Sequence, residues 1–188
     1  MDQDRDLTPQ EQKRLLRAAR QTIVSLVKRE KPVDQKADLP GLGFARGAFV
    51  TLHRRGRLRG CIGNFFAKGN LLRTVEEMAM AAACQDPRFP PLSPAELAEI
   101  DLEISVLSPL REIKDVNEIK VGTHGIYLVS PRGRGVLLPQ VATEYGWDRE
   151  TFLDQTCLKA GLAPGCWRDA DAQILIFSAQ IFGEKEAE

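Results

Sequence analysis

The residues with the clearest capacity for chemistry lie in the segment that reads RLRGCIGN. Gly60 and Gly63 interrupt what otherwise has the pattern of a β-strand, and glycine inside a strand marks a bulge or the close approach of a ligand or another backbone. Strand alternation predicts Arg59 and Cys61 on one face, with Leu58 and Gly60 on the other. An arginine beside a cysteine can lower the thiol pKa and bind an anionic group of a substrate.

The alternative interpretation of this segment is structural. Free cysteines are among the most buried residue types, so Cys61 can be a small apolar side chain whose neighbouring glycines only permit packing. The residue types alone favour this interpretation. The chemical interpretation requires a geometry that the sequence does not contain.

A catalytic thiol also needs a base, and the chain has two histidines. If the turn is centred on Arg55-Gly56, His53 lies opposite Leu58 and about 10 Å from Cys61, which is too far for a nucleophile and its base. His124 is the better candidate, because the glycines on either side of Thr123-His124 allow a tight turn near other segments. The alternative for His124 is an exposed turn residue.

The other three cysteines carry weaker signals. Cys157 lies on the apolar face of a predicted helix and is expected in the core, and Cys84 and Cys166 have no spacing that suggests activation. A zinc site built from Cys61, Cys157, Cys166 and a histidine is chemically allowed, but the spacing does not encode it. The sequence therefore predicts free thiols in a reducing compartment, with no metal site.

Basic residues cluster at two predicted hairpin tips, one at Arg54-Arg55-Gly56-Arg57 and the other at Arg132-Gly133-Arg134. Such tips could bind phosphates. However, 26 basic residues balance 26 acidic ones, and no aromatic platform alternates with the arginines. Solvated turns are the favoured interpretation, and nucleic-acid binding remains an alternative.

The predicted elements mix helices with antiparallel hairpins. Helices are expected from Thr8 to about Arg29, from Leu71 to Cys84 and from Asp148 to Gly161, with a short helix after Ser93. Strands are expected in a hairpin over 47–66 and over 102–107, 126–130, 135–138 and 173–182, the last apolar on both alternations like a central strand. This pattern predicts an α+β fold with a largely antiparallel or mixed sheet and flanking helices.

Composition supports a folded chain outside the membrane. Hydrophobic residues make up 43% and charged residues 28% of 188 positions, which is typical of globular proteins. The N-terminus is too polar for a signal peptide, and no apolar run approaches the roughly 20 residues that span a bilayer. A cytoplasmic protein is expected, with a loop up to Gly43 and flexible tails at 1–7 and 184–188.

The segment Leu58-Arg59-Gly60-Cys61-Ile62-Gly63 resembles the six-residue signature of the AMMECR family. The resemblance covers nearly the whole chain, and among bacterial and archaeal members it is strongest to those of the AmmeMemoRadiSam system. Further matching segments, in the family's order, are FVTL at 49–52, DPRFPPL at 86–92, SVLSP at 105–109, LPQV at 138–141 and CLKAGL at 157–162.

The resemblance implies one domain over residues 8–184, made of a larger sheet-and-helix lobe and a smaller β-containing lobe whose strands interleave in sequence. It also implies a cleft beside the signature, and a Memo-like protein and a radical SAM protein as companions. It brings no established reaction, and no cofactor follows from it.

Two main hypotheses result, with nucleic-acid association as a third. In the first, a small anionic ligand binds beside a reactive thiol, and the glycines admit the ligand. In the second, the signature is a recognition surface of a non-catalytic adaptor. The predicted catalytic residues are Cys61 and His124, and the predicted ligand-binding residues are Arg59, Gly60, Gly63, Asn64 and Arg88.

Overall fold

The computed structural model describes residues 5–31, 42–66 and 69–185. The chain divides into two compact units, Met1–Leu107 with Gln180–Glu188, and Ser108–Ala179. Most of the loop predicted before Gly43 lies outside the described residues. In the described parts of the chain, no helix combines the length and the apolar character that a membrane crossing needs.

The described residues form four α-helices and eight β-strands. The helices are α1 (Pro9–Lys28), α2 (Leu71–Cys84), α3 (Pro139–Glu144) and α4 (Arg149–Lys159). The strands are β1 (Ala48–Arg54), β2 (Arg57–Asn64), β3 (Ile100–Leu107), β4 (Arg111–Ile113), β5 (Gly125–Ser130), β6 (Gly133–Leu137), β7 (Gln173–Phe177) and β8 (Ala179–Gly183). They make two four-stranded sheets, which confirms the predicted α+β class.

The first unit contains a sheet of order β2-β1-β3-β8, with α1 and α2 packed on it. Alternate residues of β1, Ala48, Val50 and Leu52, are fully buried and share one core cluster with the apolar stripes of both helices. The capping box of Thr8 and Glu11 starts α1 as predicted, because the two side chains satisfy N–H groups that have no partner within the helix. The opposite face of β1 carries the more polar residues.

The second unit contains a sheet of order β4-β7-β5-β6. Helix α4 packs so closely on β6 that a β-carbon at Gly133 would overlap the carbonyl oxygen of Ala160, and one at Gly135 would overlap that of Thr156. The glycines of the Gly133-Arg134-Gly135 tip are therefore required by helix packing on this strand.

The single strand predicted over 173–182 is wrong. The structure has β7 in the second sheet and β8 in the first, separated by Ser178. The Ser178 N–H donates to Oγ of Ser108 at 2.9 Å, and the Ser108 N–H donates to the Ser178 carbonyl at 2.9 Å. These bonds join the two points at which the chain passes between the units. The segment is apolar at both odd and even positions because it contains two strands, of which β7 packs in the core of the second unit and β8 against the core of the first.

The predicted tails differ from the structure at their inner ends. Leu7 is 3% exposed and belongs to the core of the first unit. The Glu184 carboxylate forms an ion pair with Arg20, and the backbone N–H of Glu184 donates to the Leu102 carbonyl at 3.0 Å. Packing thus includes Leu7 and Glu184, which were predicted at the inner ends of the flexible tails. Residues 1–4 and 186–188 lie outside the described residues.

The prediction of four free thiols is wrong for two of them. Cys157 on α4 and Cys166 in the following turn form a disulfide, with a Cα–Cα distance of 6.0 Å and a sequence separation of 9. Both are buried, beside Leu128. The bond also excludes these two cysteines from a zinc site with Cys61. Spacing could not reveal the pair, because the loop after α4 brings the two sulfurs together.

We expect the protein denatured without reductant to have two titratable thiols, Cys61 and Cys84, and the reduced protein to have four. Replacing both bonded cysteines with serine should lower the free energy of unfolding by about 2 to 3 kcal/mol, because the open loop gains chain entropy in the unfolded state. Thiol titration and denaturant unfolding measure the two effects. Cys84→Ser is the control, and four titratable thiols without reductant would contradict the pairing.

Candidate functional site

The signature segment lies on β2, the edge strand of the first sheet, and contains a β-bulge. Leu52 pairs with Gly60 and His53 with Leu58, so that Arg59 is the extra residue on β2. The prediction that His53 lies opposite Leu58 is confirmed. The bulge shifts the alternation of side chains along β2. Leu58 pairs with His53 and Cys61 pairs with Thr51, and these two partners lie on the same face of β1 because they are two residues apart. Leu58 therefore shares a face with Cys61, contrary to the predicted alternation.

Arg59 is only 8% exposed and does not bind the thiol. Its Nε donates to Oε1 of Glu96 at 2.8 Å, and its Nη2 donates to Oε2 of Glu96 at 3.1 Å and to the Pro90 carbonyl at 3.0 Å. The guanidinium, followed by hydrogen bonds from Ser93, lowers the pKa of Glu96 to about 2. The positive charge of Arg59 is thus compensated inside the first unit.

The loop after α2 covers the open edge of β2. Asp86, 4% exposed, accepts the Cys61 N–H at 2.8 Å, and the Arg88 guanidinium donates to Asp86 Oδ2 at 2.7 Å and to the Cys61 carbonyl at 3.4 Å. The bond from Arg88, followed by the one from Cys61, holds the pKa of Asp86 well below its ordinary value. The ionised Asp86 and Arg88 together satisfy the backbone groups that an adjacent strand would satisfy.

The Cys61 thiol is free and half-buried on the face of the sheet opposite the helices. The Thr51 hydroxyl lies 3.2 Å from Sγ and donates to it. Glu103 of β3 pairs with Thr51 from the other side, so that a thiol, a hydroxyl and a carboxylate form a row across three strands. Thr51 and Glu103 were not predicted as site residues, because the only signal for them in the sequence is a polar residue at alternate positions of two strands.

The two glycines of the signature are required by packing. A β-carbon at Gly60 would overlap the carbonyl oxygen of Ala82 in α2, and one at Gly63 would overlap the ring of Phe49. Phe49 in turn packs edge-to-face with Phe65, with ring centroids 5.1 Å apart. The space that was predicted to admit a ligand at these two positions is therefore filled by a helix backbone and an aromatic ring.

The remaining predicted residues have other surroundings. Asn64 ends β2, and its Oδ1 accepts the Phe66 N–H at 2.9 Å. His124 belongs to the second unit, where its Nδ1 accepts the Lys120 N–H at 3.2 Å and burial lowers its pKa. That hydrogen bond suits a neutral imidazole, as a base requires. The pairing of His124 with Cys61 stays a prediction.

The fold and the site define an α+β protein with a closed sheet edge around a cysteine. The family model described as AMMECR1 matches residues 16–182, and the chain belongs to the AMMECR1 family. A protein of Methanothermobacter thermautotrophicus is 43% identical, covering 95% of this chain and 96% of its own length. Protein MK0488 of Methanopyrus kandleri is 41% identical, covering 97% and 92%.

The comparison with solved structures agrees with this assignment. The crystal structure of an uncharacterized protein, PH0010 from Pyrococcus horikoshii, matches with a TM-score of 0.82 and 40% identity, covering 91% of this chain and 90% of that one. The resemblance inferred from the signature is confirmed at the level of the family and the fold. None of these names carries an activity.

We predict that Gly60→Ala lowers the free energy of unfolding by about 2 kcal/mol or more, because the new methyl group must displace the backbone of α2 from β2. Gly43→Ala is the matched control, since a β-carbon there meets no atom within 4 Å. Urea unfolding of both variants measures the difference. Equal stability of the two variants would contradict the close approach of helix and strand.

Proposed function

We propose that the chain binds a small ligand next to Cys61 and that this thiol is the reactive group. The observation that supports the proposal is that the Cys61 thiol is free and half-buried, and that each polar group of this residue has a hydrogen-bonding partner. The Cys61 N–H donates to Asp86, its carbonyl accepts from Arg88, and its sulfur accepts from Thr51. A cysteine retained for packing alone would ordinarily be fully buried.

The two predicted arginines differ in their availability to a ligand. Arg59 is enclosed and bound by both Glu96 oxygens, so an anionic ligand would have to displace a buried ion pair to reach it. The Arg88 side chain is 54% exposed and lies beside the Cys61 carbonyl. Of the two, Arg88 is the arginine that can contact an anionic group of a ligand at the thiol.

The row of Cys61, Thr51 and Glu103 defines the chemistry that such a site can perform. A hydroxyl that donates to sulfur stabilises the thiolate, which is the nucleophilic form of cysteine. After the thiol proton has passed to solvent, the thiolate can add to the carbon of a polarised double bond of the ligand, whose π electron pair moves to the heteroatom and takes up a proton from solvent.

We expect Thr51→Val to slow the alkylation of Cys61 by iodoacetamide about fivefold, because it removes one hydrogen bond of about 1 kcal/mol to the sulfur while preserving the side-chain volume. Thr51→Ser keeps the hydroxyl and should keep the rate. The rate is measured by mass spectrometry of the native protein. Cys84, the other free thiol, serves as an internal reference in every sample.

Two results would overturn the proposal. One is a Cys61 that reacts only after the protein unfolds, and the other is an equal change in rate at Cys61 and Cys84 in Thr51→Val. Either would favour the second candidate function.

The second candidate is a non-catalytic adaptor that binds a Memo-like or radical SAM protein through the β1–β2 hairpin. Two large apolar side chains on this segment are exposed, Leu58 at 42% and Phe66 at 58%. Leu58 lies near the start of β2 and Phe66 just beyond its end, and each is a large apolar side chain that a protein partner could bury. In this function the ion pairs around Arg59 and Arg88 would give the docking surface a fixed shape.

For the adaptor, Leu58→Glu should weaken binding to such a partner at least about tenfold, because a carboxylate would be placed in an apolar contact. Leu158→Glu, a change at a residue that is 49% exposed on α4, is the control. Titration of the purified partner against each variant measures the affinity. Unchanged affinity in Leu58→Glu would exclude the hairpin as the docking surface.

A further inference from the structure

The tip of the β1–β2 hairpin forms a surface cavity whose walls are arginines. The cavity has a volume of about 490 Å³ and is lined by Arg54, Arg55 and Arg57. It is formed by the turn that joins the two strands, and the reactive group of the proposed function does not line it.

The charges around this cavity do not balance. Arg54 donates to Glu99 at 2.6 Å and to Glu96 at 3.2 Å, and Arg55 donates to the other oxygen of Glu99 at 2.9 Å. Glu96 is already bound through both oxygens by Arg59.

Within the described residues, two carboxylates, Glu96 and Glu99, therefore pair with the three guanidinium groups of Arg54, Arg55 and Arg59. Over the same residues, the Arg57 side chain makes no hydrogen bond or ion pair, and Arg57 is exposed. The tip consequently carries surplus positive charge, with guanidinium groups available for a ligand.

The backbone of the turn gives a second, independent indication. Arg55 has φ of 51° and Gly56 has φ of 75°, so both central residues of the two-residue turn are left-handed. Asparagine, aspartate and glycine are the residues that normally occupy such positions, and arginine is conformationally disfavoured there. The Arg55 side chain is 75% exposed. Strained backbone positions cluster at functional sites, and here the strained residue carries an exposed charge beside the cavity.

We propose that the hairpin tip binds an oligophosphate group through Arg54, Arg55 and Arg57. Guanidinium groups bind phosphate oxygens through two parallel hydrogen bonds, and three of them around one cavity suit a ligand with several charged oxygens. Arg55 and Arg54 would exchange part of their contact with Glu99 for the ligand, while Arg57 would gain its first partner. This site goes beyond the proposed function, because its ligand contacts do not include the thiol.

Tripolyphosphate is the probe, and isothermal titration of the full chain measures its affinity at low and at physiological salt. Arg57→Ala should weaken binding about tenfold or more, which is the effect of losing charge-assisted hydrogen bonds. Arg73→Ala is the control, since the Arg73 side chain is 73% exposed and pairs with Glu77 on its own helix, outside the hairpin tip. It should leave the affinity within about twofold of the parent protein.

Thermal unfolding of each variant verifies that the fold is retained. Cys61→Ser should leave the affinity for tripolyphosphate unchanged, which separates this site from the thiol site. The proposal is overturned if tripolyphosphate does not bind, if Arg73→Ala and Arg57→Ala weaken it equally, or if Cys61→Ser abolishes binding. It is also overturned if a single-stranded oligonucleotide binds through Arg57 while tripolyphosphate does not, because the tip would then recognise nucleic acid.

Discussion

The geometry of the candidate site depends on the hydrogen bonds that the Asp86 carboxylate accepts from the Cys61 N–H and from Arg88. An edge strand exposes backbone N–H and C=O groups that invite pairing with other chains. Asp86 and Arg88 satisfy these groups at Cys61, and the carboxylate remains charged although it is almost fully buried. A buried charge is tolerated only when it is paired and hydrogen-bonded. The same contacts that close the sheet therefore fix the backbone that carries the thiol.

The bulge at Arg59 and the ion pairs next to it have one physical origin. A bulge turns a strand and directs its extra residue away from the regular alternation, and here the redirected side chain is a long cation. Glu96 receives it through both oxygens and also contacts Arg54, which connects the signature to the hairpin tip. Buried ion pairs contribute little net stability compared with apolar packing. Their effect in this unit is to specify where β2 lies relative to the 3₁₀ turn at Pro94–Glu96.

The glycines of the chain show how packing and function can leave the same signal in a sequence. Gly60 allows α2 to approach β2, and Gly135 allows α4 to approach β6. A glycine in a strand indicates that something comes close to the backbone. The sequence could not distinguish a ligand from a helix carbonyl as the approaching group, because that depends on where a distant helix packs.

Local chemistry determined most of the elements: the capping box at Thr8, the Asn70 cap of α2 and the turn at Arg55-Gly56 depend on residues adjacent in sequence. The signature was also sufficient to indicate the family. Tertiary structure alone decided the rest, including the division of 173–182 between two sheets, the disulfide and the ion pair between Arg59 and Glu96. Each of these joins groups that the folded chain brings together. Periodicity and spacing record which face of an element is apolar, but not which partner covers it.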